Sequence, residues 1–381
     1  MARSEVGVLL GASTQPSSYY SYFESLFDTR DGDEDAQEAF FELGDRLAES
    51  SRRVHEPPLV PSESRRGKEM FESIFSSISR LLVDTAAHEY LFCKSFWQSE
   101  GRGVFLDVFT PILDFVQGSL TASLQEQDDI IALLLCISIN RQNFLMMTKR
   151  RNPALDGHFD AVNLILWPRV KIVLDRHLKS VMDLGGVAED PRQTIPQRKD
   201  ELLPLTRRYA AMMASVLVIM EFITDGSISL NIEQLRYAVL NHLLSASRRF
   251  QRPGEGTVFL LHNLHHIVVV LKAAGHRQES VDQAFSRAMD LYVDTKLNPR
   301  LEKPKELSAE KVKDLRQDIR DEFRKTGVTV SSANSVEHAD PLGEIVAKTA
   351  MATLCERWNH LIGSVDGAMS TAELFKAAVD S

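Results

Sequence analysis

The chain has 381 residues, 44% hydrophobic and 25% charged, enough apolar material for one large core or two smaller ones. Its formal net charge of -9 opposes nonspecific attraction to nucleic acid, so any basic surface has to be local. Cys93, Cys136 and Cys355 stand far apart in apolar surroundings, without the spacing of a disulfide framework or a zinc ribbon, which points to a reducing, cytoplasmic setting.

At the N-terminus, VGVLLGA lacks the length and basic flank of a signal peptide. SYYSYFESLF, Ser18 to Phe27, carries aromatics that need a partner or a fold-back contact. From Glu24 to Arg46 nine acidic residues face two basic ones, with DGDED at Asp31 to Asp35, the pattern of a short helix pair broken by a solvated loop. Val54 to Glu69 holds three prolines and almost no periodicity, as a linker or strap does. Residues 1–66 are therefore read as an acidic helical segment and a proline-rich strap, 67–225 as a first helical bundle and 226–381 as a second.

From Met70 onward helical periodicity dominates and period-two alternation is nearly absent, so the predicted fold is all-α, with about ten to twelve helices. Breaks are expected at Ser99–Gly103, Asp183–Glu201, Arg252–Gly256, Asn298–Glu306 and Thr326–Pro341. Ser280 with Gln283, and Ser370 with Glu373, have the spacing of capping boxes. The longest unbroken apolar run, Ile130 to Ile139, reaches only about half of the roughly 20 residues a bilayer span needs. It reads as a buried core helix, and no transmembrane segment is expected.

NPALDGHFDAVNLILWPRVKIVLDRHLKSV, Asn152 to Val181, reads as one amphipathic helix with Pro168 in its middle. At about 100° per residue, Leu155, Phe159, Val162, Ile165 and Leu166 share a face before the proline. Val170, Val173, Leu174, Leu178 and Val181 form a stripe rotated by roughly 80° after it. The predicted structure is a kinked helix; the alternative is a restart with Pro168 in the first turn.

Several groups invite a chemical reading. His262 and His266, four apart, have the spacing of a two-histidine metal site, but Asn263 stands where HExxH needs glutamate, and apolar residues surround the helix. Buried, hydrogen-bonded histidines are expected there, with a metal-binding helical bundle as the competing reading. Glu126, Asp128 and Asp129 precede Ile130, where acids favour the positive end of a helix dipole. MMASVLVIM, Met212 to Met220, has the spacing of a core stripe. GxSxG, GxxxxGK[ST], CxxC and GxGxxG are all missing, so no catalytic residue, cofactor or resident metal is expected. Two basic clusters, Lys149, Arg150 and Arg151 and then Arg248, Arg249 and Arg252, lie near helix C-termini. They are the candidate partner-binding residues, toward acidic proteins or anionic lipid in a membrane-surface reading, whereas Arg207 and Arg208 in TRRYA are expected to form structural ion pairs.

PALDGHFDAVNLILWPRVKIVLDRHLKSV resembles the signature of the vacuolar protein sorting-associated protein 52 family. PPLVPSE (Pro57 to Glu63), LLVDTAAHEYLFC (Leu81 to Cys93), TRRYA (Thr206 to Ala210) and TVFLLHNLHHIVVVL (Thr257 to Leu271) match in the same order. The family usually has paired asparagines where this chain has His262 and Asn263, and the resemblance is to its C-terminal part. It implies an elongated helical rod of stacked bundles, without catalysis, in a four-subunit tethering complex of the Golgi-associated retrograde protein type or its endosome-associated recycling sister. Sister subunits, Rab- or Arl-type small GTPases and SNAREs are the implied partners, without nucleic acid. The implied location is cytoplasmic and peripheral on trans-Golgi network and endosome membranes.

Overall fold

The computed structural model describes residues 40–53, 70–186, 198–223, 226–252, 254–297, 309–323, 329–332, 335–338 and 342–362. Among these the fold is all-α, with eleven α-helices. One short antiparallel ribbon, β1 (Thr329–Ser332) with β2 (Ser335–His338), pairs Thr329 with His338 and Ser332 with Ser335. Ser18–Phe27, DGDED, the proline-rich strap and the Ser370–Glu373 box lie outside the described residues.

The described residues divide into two compact units. The first takes those up to Ser180 together with Ser215–Leu235; the second takes Val181–Ala214 and those from Arg236 on.

In the first unit, α1 (Arg46–Arg53) is followed by α2 (Phe71–Trp97), a 3-10 turn (Gln98–Glu100), α3 (Gly101–Leu124) and α4 (Ile130–Lys149). Every residue from Ile130 to Asn140 is buried, so α4 is the central helix that its all-round apolar sequence predicts. Asp129 caps it, its Oδ1 accepting from the amides of Ile131 at 2.9 Å and Ala132 at 3.2 Å. A cluster running from Leu82 and Tyr90 through Phe105 and Phe109 to Met147 and Phe159 packs α2, α3, α4 and α5 together.

Helix α5 (Asp156–Gly186) runs unbroken through Pro168, which excludes the restart. The sharp rotation of its apolar face is corrected. Ile165 and Leu178 are only partly buried, while Leu155, Phe159, Val162, Leu166, Val170, Val173, Leu174, His177 and Val181 form one drifting stripe. Pro168 faces solvent, and Leu164, whose carbonyl loses its donor, is 76% exposed. A carbonyl left on the wet side can be solvated, which lowers the cost of the missing bond. Pro111, inside α3, is exposed as well.

Helices α6 (Pro204–Ile223) and α7 (Ser229–Ser247) each contribute residues to both units. The second unit continues with α8 (Glu255–Ala273) and α9 (Glu279–Tyr292), which ends in a π turn (Val293–Leu297), then α10 (Ala309–Glu322) and α11 (Leu342–Ile362). Every residue from Gly256 to Ile267 is buried, so α8 is central here. Gly256 is required: a Cβ would stand 2.0 Å from the Ser247 carbonyl oxygen. The predicted capping box at Ser280 does not form. Gln278 occupies the cap position, Ser280 lies within the first turn, and Gln283 donates instead to Glu279 at 3.1 Å.

Run length alone misjudged membrane compatibility, because charged residues are sparse over longer windows. By length and composition, Phe71–Leu124, Ile130–Lys149 and Glu255–Ala273 each contain a window apolar enough to cross a bilayer. In the last two, 72% of that window is buried inside the protein; in the first, 22%.

Candidate functional site

The first basic cluster closes α4. Arg151 has φ +52, a left-handed conformation that glycine adopts more easily, and the Asn152 amide returns to the Met147 carbonyl at 3.0 Å, ending the helix. Asn152 also donates from Nδ2 to the Ala87 carbonyl at 3.4 Å and accepts from the Ala154 amide at 3.0 Å, which fastens the turn to α2. Lys149, Arg150 and Arg151 are all exposed. Arg150 lies 3.6 Å from Asp84, which Arg80 already engages at 2.5 Å, so its pairing is weak.

The second cluster follows α7. Arg248 and Arg249 are exposed, and Arg252 is 82% exposed with Glu255 at 3.5 Å. Each cluster thus sits on a turn within its own unit, as a set of solvated cations. Arg208, by contrast, is 3% exposed and unavailable to a partner.

The histidines of α8 correct one expectation. His262, His265 and His266 are 3%, 3% and 7% exposed, but none of their ring nitrogens has a hydrogen-bond partner. His262 lies over Phe323, centroids 5.1 Å apart, and His265 beside Phe285 at 6.2 Å. Burial in these apolar surroundings pushes all three down to about 4, so they are neutral at pH 7. Among the described residues, no three His, Cys, Asp or Glu side chains converge as metal ligands.

The polar centre of this helix is Asn263, which is fully buried. Its Oδ1 accepts from the Leu203 amide at 3.0 Å and the Thr206 hydroxyl at 2.7 Å. Its Nδ2 donates to the carbonyls of Glu201 at 2.9 Å and Phe259 at 3.0 Å. All four bonding positions of the amide are used, and they tie the start of α6 to α8. Nearby, Glu322 receives Lys199 at 2.6 Å, Tyr292 at 2.8 Å and Lys296 at 3.3 Å. Burial alone would raise its carboxyl, but these donors hold it below the usual range.

In the first unit the predicted acid cluster is structural. Arg169 donates to Asp128 at 2.5 Å and to the Gln127 carbonyl at 2.8 Å, and Arg176 donates to Asp128 at 2.6 Å. Arg46 spans Glu72 and Asp129, both at 2.7 Å. Sequence reasoning missed Asn263, Arg46 and Arg169. Arg169 carried a signal in the LWPR block beside Pro168, and Asn263 one in the asparagine position of the FLLHN block, whereas Arg46 carried none. A cleft of about 190 Å³ between Asn140, Phe144, Asp160 and Trp167 is smaller than pockets that enclose cofactors.

Fold and sites together define an all-α protein whose buried polar groups fasten one helix to the next. A sequence model described as Vps52, C-terminal, matches residues 21–292, and the chain belongs to that family. Vacuolar protein sorting-associated protein 52 A of Arabidopsis thaliana is 32% identical over 285 residues, covering 74% of this chain and 38% of the relative. Vacuolar protein sorting-associated protein 52 B of the same plant is 34% identical over 240 residues, covering 62% and 33%. The Homo sapiens homolog is 30% identical over 278 residues, covering 69% and 37%. The matched part is therefore well under half the length of these relatives. No solved structure matches.

Proposed function

We propose that this chain is a non-catalytic subunit, or part of one, of a vesicle-tethering complex of the Golgi-associated retrograde protein type, working in endosome-to-trans-Golgi transport. The family match over residues 21–292 carries this reading, and the relatives' names associate them with vacuolar protein sorting. The chain assembles with sister subunits and docks Rab- or Arl-type small GTPases or SNAREs, at the cytoplasmic face of trans-Golgi and endosome membranes. Lys149, Arg150 and Arg151, with Arg248, Arg249 and Arg252, supply contacts to acidic partner surfaces, supported by their exposure and by the strained backbone at Arg151. Such contacts act mainly on association rate and specificity.

Two measurements test the reading. Purification from cells should recover three large partner subunits. A pull-down with GTP-loaded Golgi and endosomal Rab proteins and SNARE regulatory domains should retain a partner, and K149E/R150E/R151E or R248E/R249E/R252E should weaken it about tenfold. A broad panel at physiological salt that retains nothing overturns the docking assignment.

A further inference from the structure

The end of the α2–α3 hairpin carries an aromatic cluster that nothing among the described residues covers. Leu91, Phe92, Phe96 and Trp97 are 59%, 53%, 68% and 38% exposed, although side chains of this kind are normally drawn inward. Their rings gather on one another: Phe92 and Phe96 are stacked at 5.8 Å, and Trp97 stands edge-on to Phe96 at 4.8 Å and to Phe92 at 5.8 Å. Every residue from Lys94 to Glu100 is exposed, so this end is a projection and not the wall of a groove. It is firmly built. A Cβ on Gly101 would stand 2.3 Å from the Cys93 carbonyl oxygen, so the two helices meet as closely as backbone allows.

The first unit places the projection relative to its cations. Arg46 bridges Glu72 and Asp129, which sets the starts of α2 and α4 side by side. At the other end, Asn152 meets the Ala87 carbonyl and Arg150 meets Asp84. Helix α2 then runs on from Ala87 to Trp97, roughly 15 Å beyond the Lys149–Arg151 turn. The two non-glycine residues with positive φ among the described ones, Gln98 and Arg151, lie in these two features.

We propose that the α2–α3 tip is a membrane-contacting knob: Leu91, Phe92, Phe96 and Trp97 enter the interfacial layer of an anionic lipid bilayer while Lys149, Arg150 and Arg151 meet its headgroups. It shares the Lys149–Arg151 turn with the partner-docking reading and rests on that reading for the turn alone. Phe and Trp suit the boundary between hydrocarbon and water, and a depth of about 5–10 Å takes in the knob without bringing the whole turn into hydrocarbon. Lys94 and Arg102 on the tip are offset by the exposed acids Glu100 and Asp107, with Glu89 one further turn back. Preference for anionic lipid therefore comes from the turn, and penetration from the aromatics.

The test is flotation of the full chain with vesicles of phosphatidylcholine containing roughly 30% phosphatidylserine, against phosphatidylcholine alone. The wild type is expected to float with the anionic vesicles, F96S/W97S to lose about tenfold in bound fraction, and K149E/R150E/R151E to lose the anionic preference. Brominated lipid should quench Trp97, and W97F should lack that component of quenching. Far-ultraviolet circular dichroism confirms that each variant folds. A wild type that stays unbound, or an F96S/W97S variant that floats as the wild type does, overturns the proposal. So does loss of a protein partner in F96S/W97S with vesicle binding unchanged, which would assign the knob to protein. F96S/W97S keeps all six candidate docking cations. Failure of the GTPase panel with intact vesicle binding would therefore count against partner docking alone.

Discussion

Asn263 shows how much one amide can hold in place. Its four bonds reach Leu203, Thr206, Glu201 and Phe259, so Asn263→Ala leaves several buried polar groups unpaired and should cost about 2–4 kcal/mol, read as a fall in the urea midpoint. The buried histidines set the response to acid. His158 and His177 in the first unit, like His262, His265 and His266 in the second, are held by burial at about 4, below the ordinary 6.5. Below pH 6.5 the unfolded chain binds more protons than the folded one, so stability falls as pH drops toward 4 and levels off above about 6.5. Each histidine contributes up to about 3 kcal/mol of that loss. Urea titrations near pH 7.5, 6 and 5 should show the midpoint dropping at each step, with the loss reduced in H265F.

At the scale of the helix, the position of a defect matters more than its identity. Pro168 sits on the solvent side of α5 beside an exposed Leu164, so the break in the hydrogen-bond ladder lies where water can reach it. Pro168→Ala restores a donor without disturbing the buried stripe and should raise stability by about 1–3 kcal/mol; a loss would show that the proline shapes the packing of α5. Asp129 carries the opposite load, capping α4 and receiving Arg46 at 2.7 Å, both in half-buried surroundings. Asp129→Ala removes the cap and one of the two carboxylates on the half-buried Arg46 guanidinium, leaving Glu72 alone, a loss of about 1–3 kcal/mol by chemical denaturation. Burial works against the charge of Arg46, but Asp129 and Glu72 more than offset it and keep its affinity for the proton above the ordinary value.

For the whole molecule, the order of the chain and the grouping of its helices differ. The second unit takes in Val181–Ala214 as well as the residues from Arg236 on, and Asn263 of α8 clasps the Leu203–Thr206 segment. A fragment of residues 226–381 would lack that segment and leave α8 with an unpaired amide and an uncovered apolar face. It should therefore unfold without a cooperative transition, whereas a fragment beginning at residue 181 should retain one. Cooperative unfolding of the 226–381 fragment would support it as an independent bundle.

The all-α class was legible from the 3.6-residue period, and the central helices α4 and α8 from apolar residues on all their faces, because those properties belong to short stretches of chain. The core role of Met212, Met213, Val216 and Ile219 followed from the same spacing. Other features depend on groups far apart in sequence, such as Arg46 with Asp129, Arg169 with Asp128, and Asn263 with Leu203, which no local pattern marks. The same limit governed the surface. Windows of comparable hydropathy in Phe71–Leu124 and Glu255–Ala273 end at 22% and 72% burial, since composition sets how strongly a helix seeks cover while packing partners settle whether it finds any.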